Sequence, residues 1–413
     1  MNTIQPKFVF LISVFFYFHF LDNTVFELFQ TLWLLGVSVL GGITLLINRS
    51  EDPFIKKFFR VSLIIGIGLC LSVIQSYRTI GQPIISGIIA CYKYVLILGP
   101  VYLYVLFIKH IDDIKWLEKW LIAGVWLNFS LYILINIIYR DSVEFRSPFS
   151  NSLLEFRPEI YTRTFIIFGY LYYFLRYLED RKHEFLILAG LLFFIPHLIE
   201  LQRGQFLITV FLSGILLIRN KNNSSSFEFI GFLMVLVGGI VLVILFVEPF
   251  QYFFREKIDY FNEAIMAVLG IDSDDSSSQG RITQFLFMYE GLVNNFVLGN
   301  GFLRSSFIQE LYGEEFYFHV SDLGPLGALY TFGLYSLVMA VSLYSIYRLI
   351  SKSTRKPRFE LITKGLVAYQ LYLLLISIQT AKIIWKPHHF IMVSVLIFLF
   401  TTFKIDERIG KST

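Results

Sequence analysis

Runs of about twenty apolar residues follow one another along almost the whole chain, and this repetition constrains the fold more than any motif does. A helix needs about 20 such residues to cross the hydrocarbon of a bilayer, fewer when flanking side chains snorkel. On that rule the sequence predicts about twelve spans. Their cores lie near 8–21, 26–47, 61–77, 84–108, 117–139, 160–178, 185–199, 206–218, 229–247, 323–349, 361–384 and 388–403. The first, seventh and eighth are short, and the seventh and eighth leave a re-entrant hairpin as an alternative. Of 413 residues, 56% are hydrophobic and only 16% charged, too little polar surface for a soluble domain of this length. The fold class read from the sequence is therefore an all-α polytopic membrane protein.

Charge sets the expected orientation. With an even count and an inside N-terminus, the inner loops collect Arg49, Lys56, Lys57 and Arg60, then Arg176, Arg181 and Lys182, then Arg348, Lys352, Arg355, Lys356 and Arg358. The opposite loops hold fewer basic residues, which is the positive-inside bias. Both termini are then expected in the cytoplasm. The division is 1–247 for nine spans, 248–322 for a large outward-facing loop between the ninth and tenth spans, and 323–413 for three spans and a tail. The first apolar run resembles a signal peptide but offers no small-residue cleavage site, so it reads as a retained span. A net charge of +4 is too small to point to nucleic acid. Cys70 and Cys91 sit in apolar runs as ordinary core residues.

The outward loop carries the polar chemistry. Residues 249–269 are amphipathic and suit the outer leaflet surface. Residues 270–280 (GIDSDDSSSQG) read as a flexible connector. Arg281 then opens a helical pattern of Ile282, Phe285, Tyr289, Leu292, Val293 and Phe296, which stops at Gly299-Asn300-Gly301. A second short helix reaches about Tyr312. His319 follows, and Asp322 is placed to cap the tenth span.

Several residues could carry chemistry. Arg203 stands in a tight outward turn beside Glu200 and Gln202, either paired with Glu200 or acting as an anion ligand, with Gly204 allowing close approach. Arg281 at a helix start opposes the positive end of the helix dipole. A bound phosphate would resolve that conflict, and a loop cation answering Asp272, Asp274 and Asp275 is the simpler alternative. His319 can exchange a proton near neutral pH, or be structural. Arg157 and Arg163 flank the outer start of the sixth span and could extend a basic funnel. Lys93 lies mid-span, where charge is costly. Lys382, Lys386, His388 and His389 read as interfacial anchors. Asp272-Ser273-Asp274-Asp275 contains the D-x-D pattern of metal-dependent glycosyltransferases, in a Ser-rich tract that makes it a poor metal site. Walker, Rossmann, HExxH and paired-cysteine motifs are absent from the sequence, as is an internal repeat.

In their order, these elements resemble the O-antigen polymerase/ligase superfamily of bacterial surface polysaccharide assembly. That family's shared region begins with Gly-Arg and a tryptophan four residues on, continues with G-x-G, and ends with a histidine followed by leucine and spaced glycines. Here these are Gly280-Arg281 with Phe285, Gly299-Asn300-Gly301, and His319 with Leu323, Gly324 and Gly327. Leu201-Gln202-Arg203-Gly204 looks like the family's Arg-Gly turn.

The resemblance implies a GT-C-like membrane glycosyltransferase acting on a sugar chain carried by a polyprenyl pyrophosphate, inverting at the anomeric carbon. The donor brings its own leaving group, so no cofactor and no metal are implied. By the resemblance, Arg203 and Arg281 would neutralise the pyrophosphate and His319 would activate the acceptor hydroxyl. Gly299 and Gly301 would shape the turn beside the sugar. Apart from the resemblance, Gln202, Asp322, Arg157 and Arg163 are further candidates for substrate binding. Arg281 and His319 are then expected to meet Arg203 in one site. Membrane lipids surround such an enzyme, and a chain-length regulator is a partner compatible with it.

The sequence departs from the family at Phe285, which lacks an indole N–H, and at Asn295-Phe296, where many members carry proline. It departs again at Val320-Ser321-Asp322, which replaces a pattern common in ligases and tilts the reading towards a polymerase. The alternatives are a ligase passing the glycan to lipid A core or a protein, a transporter or flippase, and a non-catalytic assembly protein.

Overall fold

The structure is a computed structural model that describes residues 4–20, 26–47, 52–111, 113–138, 143–146, 153–156, 163–199, 203–219, 276–312, 320–353 and 361–409. It is predominantly helical. The first half holds α1 (Ile4–Tyr17), α2 (Glu27–Ile47), α3 (Pro53–Ile80), α4 (Ile84–Ala90), α5 (Tyr92–Val95), α6 (Gly99–His110) and α7 (Ile114–Ile138). Two short strands, β1 (Val143–Arg146) and β2 (Leu153–Phe156), pair antiparallel, with Val143 opposite Phe156. Then come α8 (Thr164–Asp180), α9 (His183–Ile199), α10 (Arg203–Arg219), α11 (Ser276–Asn294), α12 (Ser305–Tyr312), α13 (Gly324–Phe332), α14 (Tyr335–Ser353), α15 (Leu361–Thr380), α16 (Lys382–Trp385) and α17 (Pro387–Ile409). The hairpin was not expected from a purely helical reading.

Among the described residues five helices are long and apolar enough to cross a membrane, or six if a bent pair counts as one span. Four more apolar helices are shorter: Gln5–Tyr17, His183–His197, Gln205–Arg219 and Pro387–Thr402. The ninth expected span, 229–247, and the amphipathic stretch 249–269 lie outside the described residues.

Three expected continuous spans are interrupted. The run 361–384 breaks at Ala381, whose φ of 49° separates α15 from α16. The run 84–108 breaks at Cys91 and again at a 3-10 turn, Leu96–Leu98, after which Pro100 restarts the helix in its first turn. Proline there loses no intrahelical bond, because first-turn N–H groups have no partner anyway. The run 323–349 breaks after Phe332. Gly333 has a φ of 58°, and α13 and α14 meet at 114°.

The last helix forms the centre of the bundle. Phe390, Ile391, Met392, Val393, Val395, Leu396, Ile397, Leu399 and Phe400 are all at most 1% exposed, the signature of a helix apolar on every side and packed on every side. α1, α6, α14 and α15 contact it. Its Phe398 stacks on Phe54 at 4.7 Å, near the start of α3. That start is itself fixed: Asp52 accepts from the N–H groups of Phe54 at 2.7 Å and Ile55 at 3.4 Å, and Tyr104 donates to it at 2.8 Å.

The outer surface is apolar instead. Val39, Leu46, Ile47, Leu63, Ile74, Leu337 and Val341 are each more than half exposed. Asn128, Gln370 and Gln82 are buried completely. Exposed aliphatic faces around a core that holds amides are what a lipid surrounding favours, since lipid tails are as apolar as leucine.

Candidate functional site

The Gly299-Asn300-Gly301 segment is the best-defined part of the expected site. α11 ends at Asn294, and a turn carries the chain to Gly299 (φ 76°) and Gly301 (φ 90°). These left-handed values suit glycine alone without strain. Both glycines are also demanded by contact with other backbone. A Cβ on Gly299 would lie 2.5 Å from the Thr331 carbonyl oxygen, and one on Gly301 would lie 2.2 Å from the Ser76 nitrogen.

Hydrogen bonds lock this arrangement. Asn300 N–H donates to the Tyr330 carbonyl at 2.7 Å, and Gly301 N–H to the Thr331 carbonyl at 3.1 Å. Leu334 N–H returns to the Val297 carbonyl at 3.0 Å. From the other side, Thr79 donates to the Asn300 carbonyl at 2.9 Å. The Gln82 amide donates to the Phe302 carbonyl at 2.9 Å and accepts from Arg304 N–H at 2.8 Å. The segment is thus held between the end of α3 and the α13–α14 break. The glycines that were expected to shape a turn beside a sugar have their Cβ sides filled by protein backbone.

The described part of the loop packs around a small core separate from the main one. Met288, Leu303, Ile308 and Tyr330 form a separate buried cluster, joined by Ile80, Leu292, Val320 and Leu323. α11 also packs against the 3-10 turn Val320–Leu323. The helix that bears Arg281 therefore contacts the turn that directly follows His319.

Two local readings change. α11 begins at Ser276, so Arg281 is inside the helix rather than opening it, and 276–280 is not a connector. A dipole fades beyond the first turn, so the conflict expected at Arg281 is weak there. Asp322 lies within the 3-10 turn, and Leu323 occupies the N-cap of α13, which has no side-chain cap bond.

Arg203 is where that helix-terminus argument applies. It is the first residue of α10, a helix of 17 residues, rather than part of a turn. Unpaired N–H groups at such a terminus favour an anion. Arg163 lies beside the same end, at the N-cap of α8, 5% exposed, with its guanidinium 5.3 Å from the centre of the Tyr132 ring. A narrow cleft joins Arg163, Tyr170, Pro196, His197, Gln205 and Thr209.

α10 packs on α15, and so does α13, whose other side meets α11. α10 thus rests on α15 directly, and α11 is joined to α15 through α13 and the 3-10 turn Val320–Leu323. His319, Gln202, Arg157 and the Asp272–Asp275 tract lie outside the described residues, as do the side chains of Arg203, Arg281 and Asp322. Among the described residues no group of three His, Cys, Asp or Glu side chains is placed to hold a metal.

One cluster was misread from the sequence. His388 and His389 are buried, at 3% and 1% exposed, and are not interfacial anchors. Their rings pack on His19 at 5.3 and 4.9 Å between centroids, and Tyr369 Oη lies 3.2 Å from His389 Nε2. Thr164 donates to the neighbouring Phe18 carbonyl, which ties this layer to Arg163. His19 inside an apolar run was the available signal, because a buried ionisable group in a membrane protein needs partners. Lys93 is half-exposed and pairs with Glu27 at 3.7 Å, which answers its charge.

A scan of family models and a search of curated proteins find no match to this chain.

Proposed function

We propose that this protein is a membrane glycosyltransferase that polymerises oligosaccharide repeat units carried on polyprenyl pyrophosphate, at the outward face of the membrane. The acceptor hydroxyl attacks the anomeric carbon of the donor sugar and gives its proton to His319. The bond from that carbon to the pyrophosphate oxygen breaks, with inversion, and polyprenyl pyrophosphate leaves. Arg203, at a helix N-terminus, and Arg281 balance the charge that builds on the leaving group. Arg163 and Arg157 extend the positive surface, the neutral Gln202 amide supplies hydrogen bonds, and Asp322 stands close in sequence to the base.

One observation carries this reading. The stretch that includes Arg281, Gly299, Gly301 and Asp322 folds as one body on α3 and α15, and α10, headed by Arg203, packs on the same α15. Sequence elements far apart in the chain therefore share one support, as a composite pyrophosphate site requires. The GT-C-like assignment, the twelve spans and the inner-membrane placement with cytoplasmic termini belong to this proposal.

The test is reconstitution of the purified protein with a polyprenyl-pyrophosphate oligosaccharide, with EDTA present. Longer lipid-linked products are expected. Full activity in both His319→Ala and Arg203→Ala would overturn the site, and loss of activity in EDTA would return attention to Asp272–Asp275. Transfer only to a lipid A core or protein acceptor would reassign the protein as a ligase.

A further inference from the structure

A groove lies away from the proposed active site, between α3 and α14. It measures about 470 Å³ and is lined by Lys57, Arg60, Val61, Ile64, Leu337, Val338, Val341, Ser342 and Ser345. The two helices run antiparallel here. Tyr335 donates to the Ile64 carbonyl at 2.8 Å, so the start of α14 sits midway along α3. The groove is therefore graded. Lys57, Arg60 and the two serines gather towards one end, while Ile64, Leu337 and Val338 line the other.

Its chemistry is unbalanced. Among the described residues neither Lys57 nor Arg60 makes an ion pair. Among the described residues no carboxylate answers these two cations, which stand at the end of an apolar slot on the exposed apolar surface. Leu337 is 57% and Val341 67% exposed, so the slot opens outwards rather than into the bundle. Pro53 and Asp52 fix the start of α3, so the cations stand on a rigid first part of the helix.

We infer that this groove is a binding site for one anionic phospholipid, its phosphate on Lys57 and Arg60 and one acyl chain along Ile64, Leu337, Val338 and Val341. Charge complementarity selects an anionic head group over a zwitterionic one, since an added amine would meet the same cations. Arginine offers a fork that fits phosphate oxygens, and lysine adds a point charge. Basic pockets between membrane helices are suited to such head groups. The volume falls within the range of small-molecule sites, roughly 300–1,000 Å³. The site is independent of the glycosyltransferase reading.

Native mass spectrometry of the full chain, taken from detergent after mixing with phosphatidylglycerol or phosphatidylcholine, tests this. The wild type is expected to retain one phosphatidylglycerol, about tenfold or more in preference to phosphatidylcholine. Lys57→Gln with Arg60→Gln should abolish the preference. Val341→Trp, which keeps both charges and fills the slot, should reduce retention of either lipid, and a wild-type elution volume checks its folding. Equal retention of the two lipids by the wild type, or unchanged preference in the double variant, would overturn the proposal. So would displacement of phosphatidylglycerol by equimolar polyprenyl phosphate, which would assign the groove to the substrate's carrier.

Discussion

Asn300 N–H donates to the carbonyl of Tyr330 at 2.7 Å, and this bond crosses from the segment after α11 to the helix that precedes the 114° break. It joins a sequence-readable turn to a feature with no clear sequence signature. The segment around it has little freedom, because backbone approaches it from α3 and from α13 at once.

Gly301→Ala should destabilise the protein severely. A Cβ would sit 2.2 Å from the Ser76 nitrogen and 2.3 Å from the Ser72 carbonyl, at a φ of 90°. Strain of this kind costs about 1–3 kcal/mol before the clash is added. Gly36→Ala is the control, since nothing lies within 4 Å of the position its Cβ would take and it is inside a helix. That change should be neutral or stabilise by up to ~1 kcal/mol. Thermal unfolding in detergent compares them, and a wild-type midpoint for Gly301→Ala would contradict the packing.

Gln82→Leu should loosen the loop body without emptying space. Its amide serves both the Phe302 carbonyl and Arg304 N–H, and it is fully buried. Each backbone group left unpaired costs about 1–3 kcal/mol. Hydrogen exchange should rise at 300–304 and stay unchanged in α17. Uniform exchange across the chain would mean that Gln82 supports the whole bundle rather than this loop.

His389→Ala should cost about 2–4 kcal/mol, because a buried ring would leave a cavity and Tyr369 would lose its partner. His389→Phe fills the space and should recover part of the loss. If Phe proves as damaging as Ala, the hydrogen bond to Tyr369 outweighs the packing.

A pH-dependent contribution is expected at Asp113, ahead of α7. Its carboxyl is held below its usual range first by the N–H of Trp116 and also by Lys7, whose Nζ lies 3.2 Å away. A lowered folded-state value means the stabilisation is present above the ordinary carboxylate range and disappears as pH falls through the lowered value. Wild type should therefore melt above Asp113→Asn at neutral pH, with the gap closing in strong acid. The gap should be small, because an exposed ion pair contributes about 0–1 kcal/mol. A gap that stays constant with pH would refute the assignment.

The sequence alone determined the lipid-compatible class, most helix positions and the helix stop at Gly299-Asn300-Gly301. Those properties follow from local hydropathy and from backbone conformation, and both are written in neighbouring residues. It did not determine why the glycines are required. Ser72, Ser76, Thr331 and Gly333 approach from helices more than thirty residues away in either direction, a distance local spacing cannot encode. The breaks at Cys91–Leu98 and Gly333 were hidden for the same reason, since an apolar run reads as continuous until tertiary contacts satisfy a bent backbone. The position of α17 at the centre, and the burial of His388 and His389 beside His19, were likewise decided by packing. Hydropathy reports that a residue avoids water. Only the tertiary structure settles whether lipid or protein takes water's place.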